Sequence, residues 1–319
     1  MLDDYRTLGL VGGVLAILAA ATTIGQRLKY TADIGLNPAL VESFNLRIRA
    51  WWLMCTVLAT AFLLGTIATV VLFGLISFWA LREFITLTPT RLGDHRTLFW
   101  VFFLFTPLQY VLVGMLGPRP NLYGLFSVLI PVYAFLFIPA RVALAGDYKR
   151  FLERTAKIQA GLMVCVYCLS HAPALMSLKI AGYHGQNPRL LFFFVLLVQL
   201  NDVLQYAWGK LLGQHVITPT ISPSRTWEGF FGGVASTTLI GMALWWATPF
   251  EPWEAAGLSL VVAVMGAAGG MTMSAIKRDR GVKDYGTLVA GHGGVLDRID
   301  SICFAAPVFY HLTRYFFVV

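Results

Sequence analysis

Charged residues are scarce in this chain of 319 residues: Asp, Glu, Lys and Arg make up 13% of it, whereas 57% is hydrophobic. The mean hydropathy of +0.70 lies far above the range of soluble domains. So little charge cannot cover the surface of a water-soluble globule, and the composition therefore excludes that class.

Cysteine is scarce as well, and the four cysteines offer no disulfide framework. Cys165 and Cys168 form a lone Cys-x-x-Cys pair inside an apolar run, so we expect thiols that pack between helices rather than redox or zinc chemistry. The chain also lacks a Gly-x-x-x-x-Gly-Lys-Ser/Thr loop and a Ser/His/Asp set. The net charge of +8 does not indicate nucleic acid as a partner, because the cations are spread over loops between apolar runs.

Long apolar runs recur along the chain, and each is about long enough to cross a bilayer as a helix. They predict an all-α integral membrane protein, a polytopic helix bundle with about ten transmembrane helices. The predicted spans are approximately residues 8–25, 49–64, 66–82, 98–116, 121–140, 158–178, 190–210, 229–248, 255–276 and 302–318.

The basic residues predict the orientation of these spans. With two spans rather than one across residues 51–81, nineteen of the 24 Lys and Arg residues fall on one side of the membrane. Cytoplasmic loops are rich in Lys and Arg, so this side is predicted to be the cytoplasm. We therefore expect a multi-pass protein of the cell's inner (plasma) membrane.

Charge is concentrated in one stretch, Ser274–Asp300, between two apolar runs. Five basic side chains there are suited to hold a polyphosphate: Lys277, Arg278, Arg280, Lys283 and Arg298. Three carboxylates are suited to the hard cation that accompanies one: Asp284, Asp297 and Asp300. Gly293 and Gly294 would let backbone N–H groups approach an anion. The alternative is a positively charged cytoplasmic loop whose aspartates cap the next helix.

A second polar feature lies inside a predicted span, Leu190–Lys210. Asp202 falls on one helical stripe with Gln199 and Gln205, and Asn201 lies beside them. A charged side chain within a membrane is costly and usually faces a polar cavity, so we predict a functional role for Asp202. For Gln199 and Asn201 the alternative is a hydrogen bond between helices.

The turn over residues 219–229 is the third polar feature. Ser222 and Thr226 are typical of residues that cap a helix, and Glu228 would complement the dipole of that helix. Contact with a substrate is the other interpretation for this segment.

These segments resemble, in the same order, three sequence blocks of the CDP-diglyceride synthases, also called phosphatidate cytidylyltransferases. The likeness extends over about residues 45–319. The matching residues are Asp202, Tyr206, Gly209 and Lys210 in the first block; Ser222, Pro223, Thr226, Glu228 and Gly229 in the second, with Arg225 at the position of a lysine; and Ser274, Lys277, Arg278, Lys283, Asp284, His292, Gly293, Gly294, Asp297, Arg298 and Asp300 in the third.

The resemblance implies a cytidylyltransferase that makes CDP-diacylglycerol and pyrophosphate from CTP and phosphatidic acid, with Mg²⁺ or another divalent cation. By this likeness the metal ligands are Asp297, Asp202 and Asp300. The catalytic residues are Asp297, Asp202, Lys277, Arg278, Lys283, Asp284, His292 and Arg298. The substrate-binding residues are Ser222, Arg225, Thr226, Glu228, Gly293 and Gly294.

Four positions depart from the family pattern, and one of them is Ala290, which stands where the family has a proline before Gly-His-Gly-Gly. Gly270 and Met273 stand where the family usually has acids, and Arg225 replaces a lysine, which changes the geometry of its donors. Either the metal site is rebuilt from Asp202 and Asp284, or the chain is a divergent paralogue with altered chemistry.

The expected function is CDP-diacylglycerol synthesis in phospholipid biosynthesis, with phosphatidic acid, CTP and the bilayer as partners. The alternative is a paralogue that acts on another lipid phosphate, or a non-catalytic lipid-binding or transport protein. Intact Lys277, His292 and Asp297 favour an enzyme, because a site without activity need not keep them. The sequence leaves the formation of a homodimer as an open alternative.

The expected organisation has four regions. Residues 1–48 hold an extra span and a polar joint, and residues 49–140 form the N-terminal membrane helices. Residues 141–157 form a cytoplasmic amphipathic linker, predicted as a helix whose cations meet anionic lipids, or else as a plain connecting helix. Residues 158–319 form the catalytic membrane region.

The orientation can be tested with cysteines introduced into a variant that has none of its own. Lys283→Cys should resist a membrane-impermeant thiol reagent in intact cells, whereas Gln186→Cys should react, because the basic loops face the cytoplasm. Strong labelling at position 283 together with none at position 186 would reverse the assignment.

Overall fold

The structure, a computed structural model, describes residues 63–88, 90–286 and 293–318, together with isolated positions between residues 9 and 61. Eight long helices occur in the described ranges from residue 63 onward. They are α1 (Thr66–Thr86), α2 (Leu92–Met115), α3 (Pro120–Ala143), α4 (Phe151–Ser177), α5 (Asn187–Leu212), α6 (Trp227–Ala243), α7 (Pro252–Asp279) and α8 (Leu296–Phe317). A hairpin of β1 (Val216–Thr218) and β2 (Ser222–Thr226) joins α5 to α6.

Six of these helices, α1 to α5 and α7, are long and apolar enough to cross a membrane. α6 has 17 residues, and α8 opens with charged side chains. The all-α polytopic class is therefore confirmed. The eight helices overlap the last eight predicted spans, whereas the spans predicted over residues 8–25 and 49–64 lie largely outside the described residues. The total of about ten crossings and the domain boundaries stay predictions.

The prediction of one helix over residues 141–157 is wrong, because the chain turns between the end of α3 and the start of α4. Gly146 and Arg150 have left-handed backbone angles, with φ of 73° and 50°, and such residues cannot continue a right-handed helix. The Arg154 side chain donates to the carbonyl oxygens of Asp147 and Lys149, both at 2.9 Å, and so fixes the turn.

Helices α5 and α6 pack with their backbones in contact. A Cβ on Gly229 would lie 2.6 Å from the carbonyl oxygen of Gln205, and a Cβ on Gly233 would lie 2.8 Å from the Gln205 nitrogen. Only glycine leaves room for this approach, which is typical of closely packed membrane helices. The polar stripe of α5 is thereby held against the first turns of α6.

The hairpin carries the second of the three blocks to the end of α5. Val216 pairs with Thr226 and Thr218 with Ser222 in an antiparallel register. Thr226 ends β2, and its hydroxyl oxygen accepts a hydrogen bond from the Gly229 amide at 3.1 Å, so it caps α6. The capping interpretation is confirmed for Thr226 but not for Ser222, which begins β2.

Candidate active site

One cavity brings residues of all three sequence blocks together. It has a volume of about 280 Å³ and lies between the later part of α5, the end of the hairpin and the first turns of α6 and α8. Its lining consists of Asp202, Gln205, Tyr206, Ser224, Arg225, Thr226, Gly229, Phe230, Asp297, Arg298 and Asp300. Segments almost 100 residues apart in sequence thus form one polar site.

Two carboxylates, Asp202 and Asp300, meet at the hydroxyl of Ser301. The Ser301 Oγ lies 3.2 Å from Asp202 Oδ1 and 3.4 Å from Asp300 Oδ1, and the Ser301 amide donates to Asp300 Oδ1 at 2.7 Å. Carboxylates this close repel each other unless positive charge lies nearby. Arg225 interacts electrostatically with both of them. The pair is therefore a natural place for a cation or for the cationic side chains of the site.

The polar stripe of α5 divides into structural and candidate functional residues. Asn201 donates to the carbonyl oxygen of Ala263 on α7 at 2.9 Å, and Gln199 donates to that of Arg298 on α8 at 3.3 Å. The interhelical hydrogen bonds predicted as the alternative for these two residues are confirmed. Asp202 differs because its side chain lines the cavity.

Asp297 organises the loop before α8. One of its oxygens accepts from Lys277 Nζ at 2.8 Å, and the other accepts from the amides of Tyr285 and Gly294 at 2.8 and 2.9 Å. Gly293 has a φ of 83°, and a Cβ there would lie 2.7 Å from Asp297 Oδ2, so this turn requires glycine. Three donors from the chain therefore occupy the Asp297 carboxylate in this arrangement.

Arg225 and Gly270, two of the departures from the family pattern, are in contact. The Arg225 guanidinium donates from Nη1 to the carbonyl oxygen of Ala267 at 3.0 Å. A Cβ on Gly270 would collide with Nη2 of Arg225 and would lie 3.1 Å from its Cζ. The missing side chain at position 270 thus makes room for the larger cation at position 225.

Glu83 is one of the residues to which sequence patterns assigned no role in the site. It comes from α1 and is buried, and its two carboxylate oxygens accept from the amides of Val295 at 3.0 Å and Leu296 at 2.8 Å. These amides lie at the start of α8, where a helix has unpaired donors. The available signal was an acid within an apolar run, Ala80-Leu81-Arg82-Glu83-Phe84. Its partner 212 residues further along could not be read from the sequence.

Several predicted site residues lie outside the cavity lining. Glu228 accepts from the amides of Gln214 and His215 and contacts His215 Nδ1 at 2.5 Å, so it holds the hairpin. Arg278 donates to the carbonyl oxygens of Ile221 and Val282, both at 3.1 Å, and links the hairpin to the loop after α7.

The remaining predicted residues lie in that loop or beyond what the structure describes. Lys283 and Asp284 are exposed there, and His292 lies outside the described residues. The Tyr285 hydroxyl donates to the carbonyl oxygen of Met273 at 2.8 Å, and burial raises the pKa of this phenol, so it stays protonated. Met273 is fully buried, which shows that this position forms part of the core rather than of the cavity.

The donor set can be compared with what a divalent cation needs. No cluster of three or more His, Cys, Asp or Glu side chains suited to a metal occurs in the described part of the chain. Asp202 and Asp300 nevertheless fit a Mg²⁺-type ion, which often takes one or two carboxylates and completes its shell with water and substrate phosphates. Asp297 fits less well, because its oxygens are already occupied.

An all-α membrane bundle with a charged cavity at one end of its helices is the class that these observations define. The sequence model of the cytidylyltransferase family matches residues 45–316, and the chain therefore belongs to this family. It is accordingly a membrane-embedded nucleotidyltransferase of lipid metabolism with CTP as a substrate.

Individual relatives agree with this membership. The chain is 38% identical over 306 residues to the uncharacterized protein YnbB of Escherichia coli (strain K12), over 95% of this chain and 96% of that protein. It is 38% identical over 183 residues to a phosphatidate cytidylyltransferase of Staphylococcus epidermidis, over 51% of this chain and 70% of that protein. For the Staphylococcus aureus protein of the same name, 38% identity extends over 120 residues, 37% of this chain and 46% of that protein.

The Glu83 contact predicts a large loss of stability on truncation. Glu83→Ala leaves two buried amides without an acceptor, so the free energy of unfolding in detergent should fall by about 2–3 kcal/mol. Glu254→Ala is the matched control, because the Glu254 carboxylate also accepts from a backbone amide at a helix start, that of Glu251 at 2.8 Å, but this hydrogen bond is exposed to solvent. It should cost about 1 kcal/mol or less. Equal losses for both variants would contradict the role given to Glu83.

Proposed function

We propose that this protein makes CDP-diacylglycerol and pyrophosphate from CTP and phosphatidic acid, at the cytoplasmic face of the inner (plasma) membrane. One observation carries the proposal: a single cavity at the ends of apolar helices holds the carboxylates Asp202 and Asp300 with the arginines Arg225 and Arg298. Joining two phosphate compounds requires such a mixture of charges. The phosphatidate cytidylyltransferases to which part of the chain is similar support the same reaction.

The reaction needs no nucleophile from the protein. A phosphate oxygen of phosphatidic acid attacks the α-phosphorus of CTP, and the bond from that phosphorus to the oxygen bridging to the β-phosphate breaks. Pyrophosphate leaves with the electron pair of that bond. The work of the protein is therefore to bring two anions together and to stabilise the charge that develops on the leaving group.

The cationic side chains suit these tasks differently. Arg225 presents a planar fork of donors that matches two phosphate oxygens, and its bond to Ala267 fixes its direction. Arg298 also lines the cavity, from the first turn of α8. We assign these two arginines to the phosphates of the two substrates. Lys277 pairs with Asp297 and is assigned to the loop and, through it, to the position of α8.

A divalent cation, if bound, would neutralise charge on the triphosphate. Asp202 and Asp300 are the residues that would hold it, because both line the cavity and share Ser301. The same two carboxylates also orient the cationic side chains around the reacting phosphates.

A lipid substrate needs its headgroup in the cavity while its tails stay in the bilayer. Tyr206 lines the cavity and is 54% exposed, and Trp227 and Phe231 nearby are exposed and stack with ring centres 5.8 Å apart. Aromatic side chains of this kind are enriched at the membrane interface. An exposed aromatic edge beside a charged cavity supports a lipid headgroup as one of the substrates.

A second candidate is a paralogue that acts on another lipid phosphate. The contact between Arg225 and Gly270 favours it, because the guanidinium fills space that an acid would take in the family pattern. A cavity with the same number of cations and one acid fewer would receive a differently charged headgroup. The proposed reaction therefore has to be compared with alternatives in one assay.

The deciding experiment uses the purified full chain with CTP and Mg²⁺, offered phosphatidic acid and other lipid phosphates in parallel. We expect CDP-diacylglycerol and equimolar pyrophosphate from phosphatidic acid. Asp202→Asn should reduce turnover at least about a hundredfold, or about 2.7 kcal/mol, because it removes one of the paired charges.

Asp279→Asn is the matched control for this substitution. Asp279 ends α7 near the same loop but pairs with Arg280 at 2.7 Å and does not line the cavity. Its turnover should stay within about twofold of the unchanged chain. A CDP-lipid formed only from another lipid phosphate would replace the proposed substrate, and full activity of Asp202→Asn would remove this residue from the mechanism.

The contact between Arg225 and Gly270 predicts coupled effects. Gly270→Ala should displace the guanidinium and lower turnover at least about tenfold, or about 1.4 kcal/mol. Lysine at position 225 has a narrower head, so Arg225→Lys should cost less in the Gly270→Ala background than in the unchanged chain.

Gly257→Ala is the control for this pair, because it makes the same change in α7 where a Cβ meets nothing within 4 Å. It should leave turnover unchanged. Strictly additive effects of the changes at positions 225 and 270 would mean that the two residues act independently.

A further inference from the structure

A second cavity lies outside the candidate active site. It is formed by the residue before α2, the connection from α3 to α4 and the first turns of α4, and its volume is about 630 Å³. We name it the basic basin after its lining: Arg91, Lys149, Arg150, Glu153, Arg154 and Lys157. None of these residues lines the active-site cavity.

The basin lies on the same face of the bundle as the active site. Glu83, near the end of α1, contacts the start of α8, and Arg91 follows α1 after a short connection. The charge of Arg280, in the loop after α7, also acts on Glu153. The basin therefore opens at the membrane face from which the headgroup of a lipid would reach the active site.

A buried ion pair builds the wall of the basin. Arg154 and Asp94 are 4% and 1% exposed, and Arg154 Nε lies 3.0 Å from an Asp94 oxygen. The same guanidinium also binds Asp147 and the two carbonyl oxygens of the turn. Burying a charge pair is costly, and a plain connection between helices does not need one. Here it fixes the turn that carries Lys149 and Arg150.

The basin has an excess of positive charge. Its five basic side chains face three acidic ones: Asp94, Asp147 and Glu153. Arg154 forms ion pairs with the first two of these acids, whereas Lys149 and Arg150 are exposed. The Arg150 Nε lies 4.0 Å from Glu153, which is the limit of an ion pair. An anion is the ligand that this arrangement would attract.

Exposed apolar side chains lie close to these charged residues along the chain. Leu92, Leu144, Tyr148 and Leu152 are each at least 80% exposed. A site for a free anion does not require four exposed apolar side chains next to its charged residues. Apolar side chains beside cations are typical of contact with anionic lipids, whose acyl chains and headgroups meet at this depth.

We propose that the basic basin binds the headgroup phosphate of an anionic phospholipid of the bilayer, at a site separate from the active site. Lys149 and Arg150 bind the phosphate, and Leu144, Tyr148 and Leu152 contact the acyl chains near it. The proposal does not depend on which reaction the protein catalyses. A bound lipid here would hold the connection between α3 and α4 against the membrane beside the active site.

The test uses the purified full chain in neutral detergent, titrated with phosphatidylglycerol and followed by native mass spectrometry. Phosphatidylglycerol is suitable because it is a phosphodiester and cannot act as the phosphate monoester substrate. The variant combines Lys149→Gln with Arg150→Asn, since asparagine tolerates the left-handed backbone at position 150. We expect the Kd for the lipid to rise about thirtyfold, because each cation at an anionic surface contributes about fivefold.

Three comparisons complete the experiment. Arg82→Gln with Arg96→Gln removes two exposed charges on the same face outside the basin and should leave the Kd unchanged. Arg225→Gln changes the active-site cavity and should also retain the lipid. Phosphatidylcholine and glycerol phosphate should bind much more weakly, the first for lack of net charge and the second for lack of acyl chains.

Equal affinity of the unchanged chain and the basin variant would overturn the proposal. Loss of phosphatidylglycerol binding in Arg225→Gln would also overturn it, because this result would assign the lipid to the active-site cavity. Glycerol phosphate binding as tightly as the lipid would identify a site for free phosphate compounds instead.

Discussion

The carboxylate of Glu83 at the start of α8 is the contact on which the rest of the site depends. It joins α1 to α8 through two backbone amides. Because α8 carries Asp297, Arg298 and Asp300, the position of its first turn decides where three charges of the cavity lie. A negative charge at a helix N-terminus is favourable, and burial strengthens the interaction.

Next to this contact, the charged side chains of the cavity form a network of hydrogen bonds and ion pairs. Lys277 holds Asp297, Asp297 holds the loop amides, and Ser301 links Asp300 to Asp202. Such a network is tolerated at the ends of apolar helices because each member has a partner. In the proposed reaction the substrates add negative charge to this network, and Arg225 and Arg298 are the cations in its lining that face it.

The sequence predicted the class of the fold and much of the cavity, for different physical reasons. The spans follow from the length of apolar runs, and the cost of an acid within a membrane singles out Asp202. The broken helix between α3 and α4 was not foreseen, because the left-handed backbone of Arg150 depends on the contacts of Arg154 with its neighbours.

Contacts between distant segments were beyond the reach of sequence patterns. The partner of Glu83 lies in another helix, and the substitutions at positions 225 and 270 appeared as two separate departures from the family. Because the two positions are in contact, the loss of a side chain at position 270 and the larger side chain at position 225 are one coupled change. Likewise, Glu228 fits a substrate-binding pattern but is engaged in holding the hairpin.

The glycine contact between α5 and α6 has a consequence for how the cavity can deform. With backbone against backbone at Gly229 and Gly233, no flexible side chains separate the two helices, and this wall is stiff. The opposite wall, at the start of α8, is held through side chains instead: Glu83 accepts from two of its amides, and Lys277 pairs with Asp297. We expect the cavity to widen by displacement of α8 while α5 and α6 move together. Amide hydrogen exchange should accordingly be faster at Val295 and Leu296 than at Gly233. Only the wall formed by α8 would then be compliant.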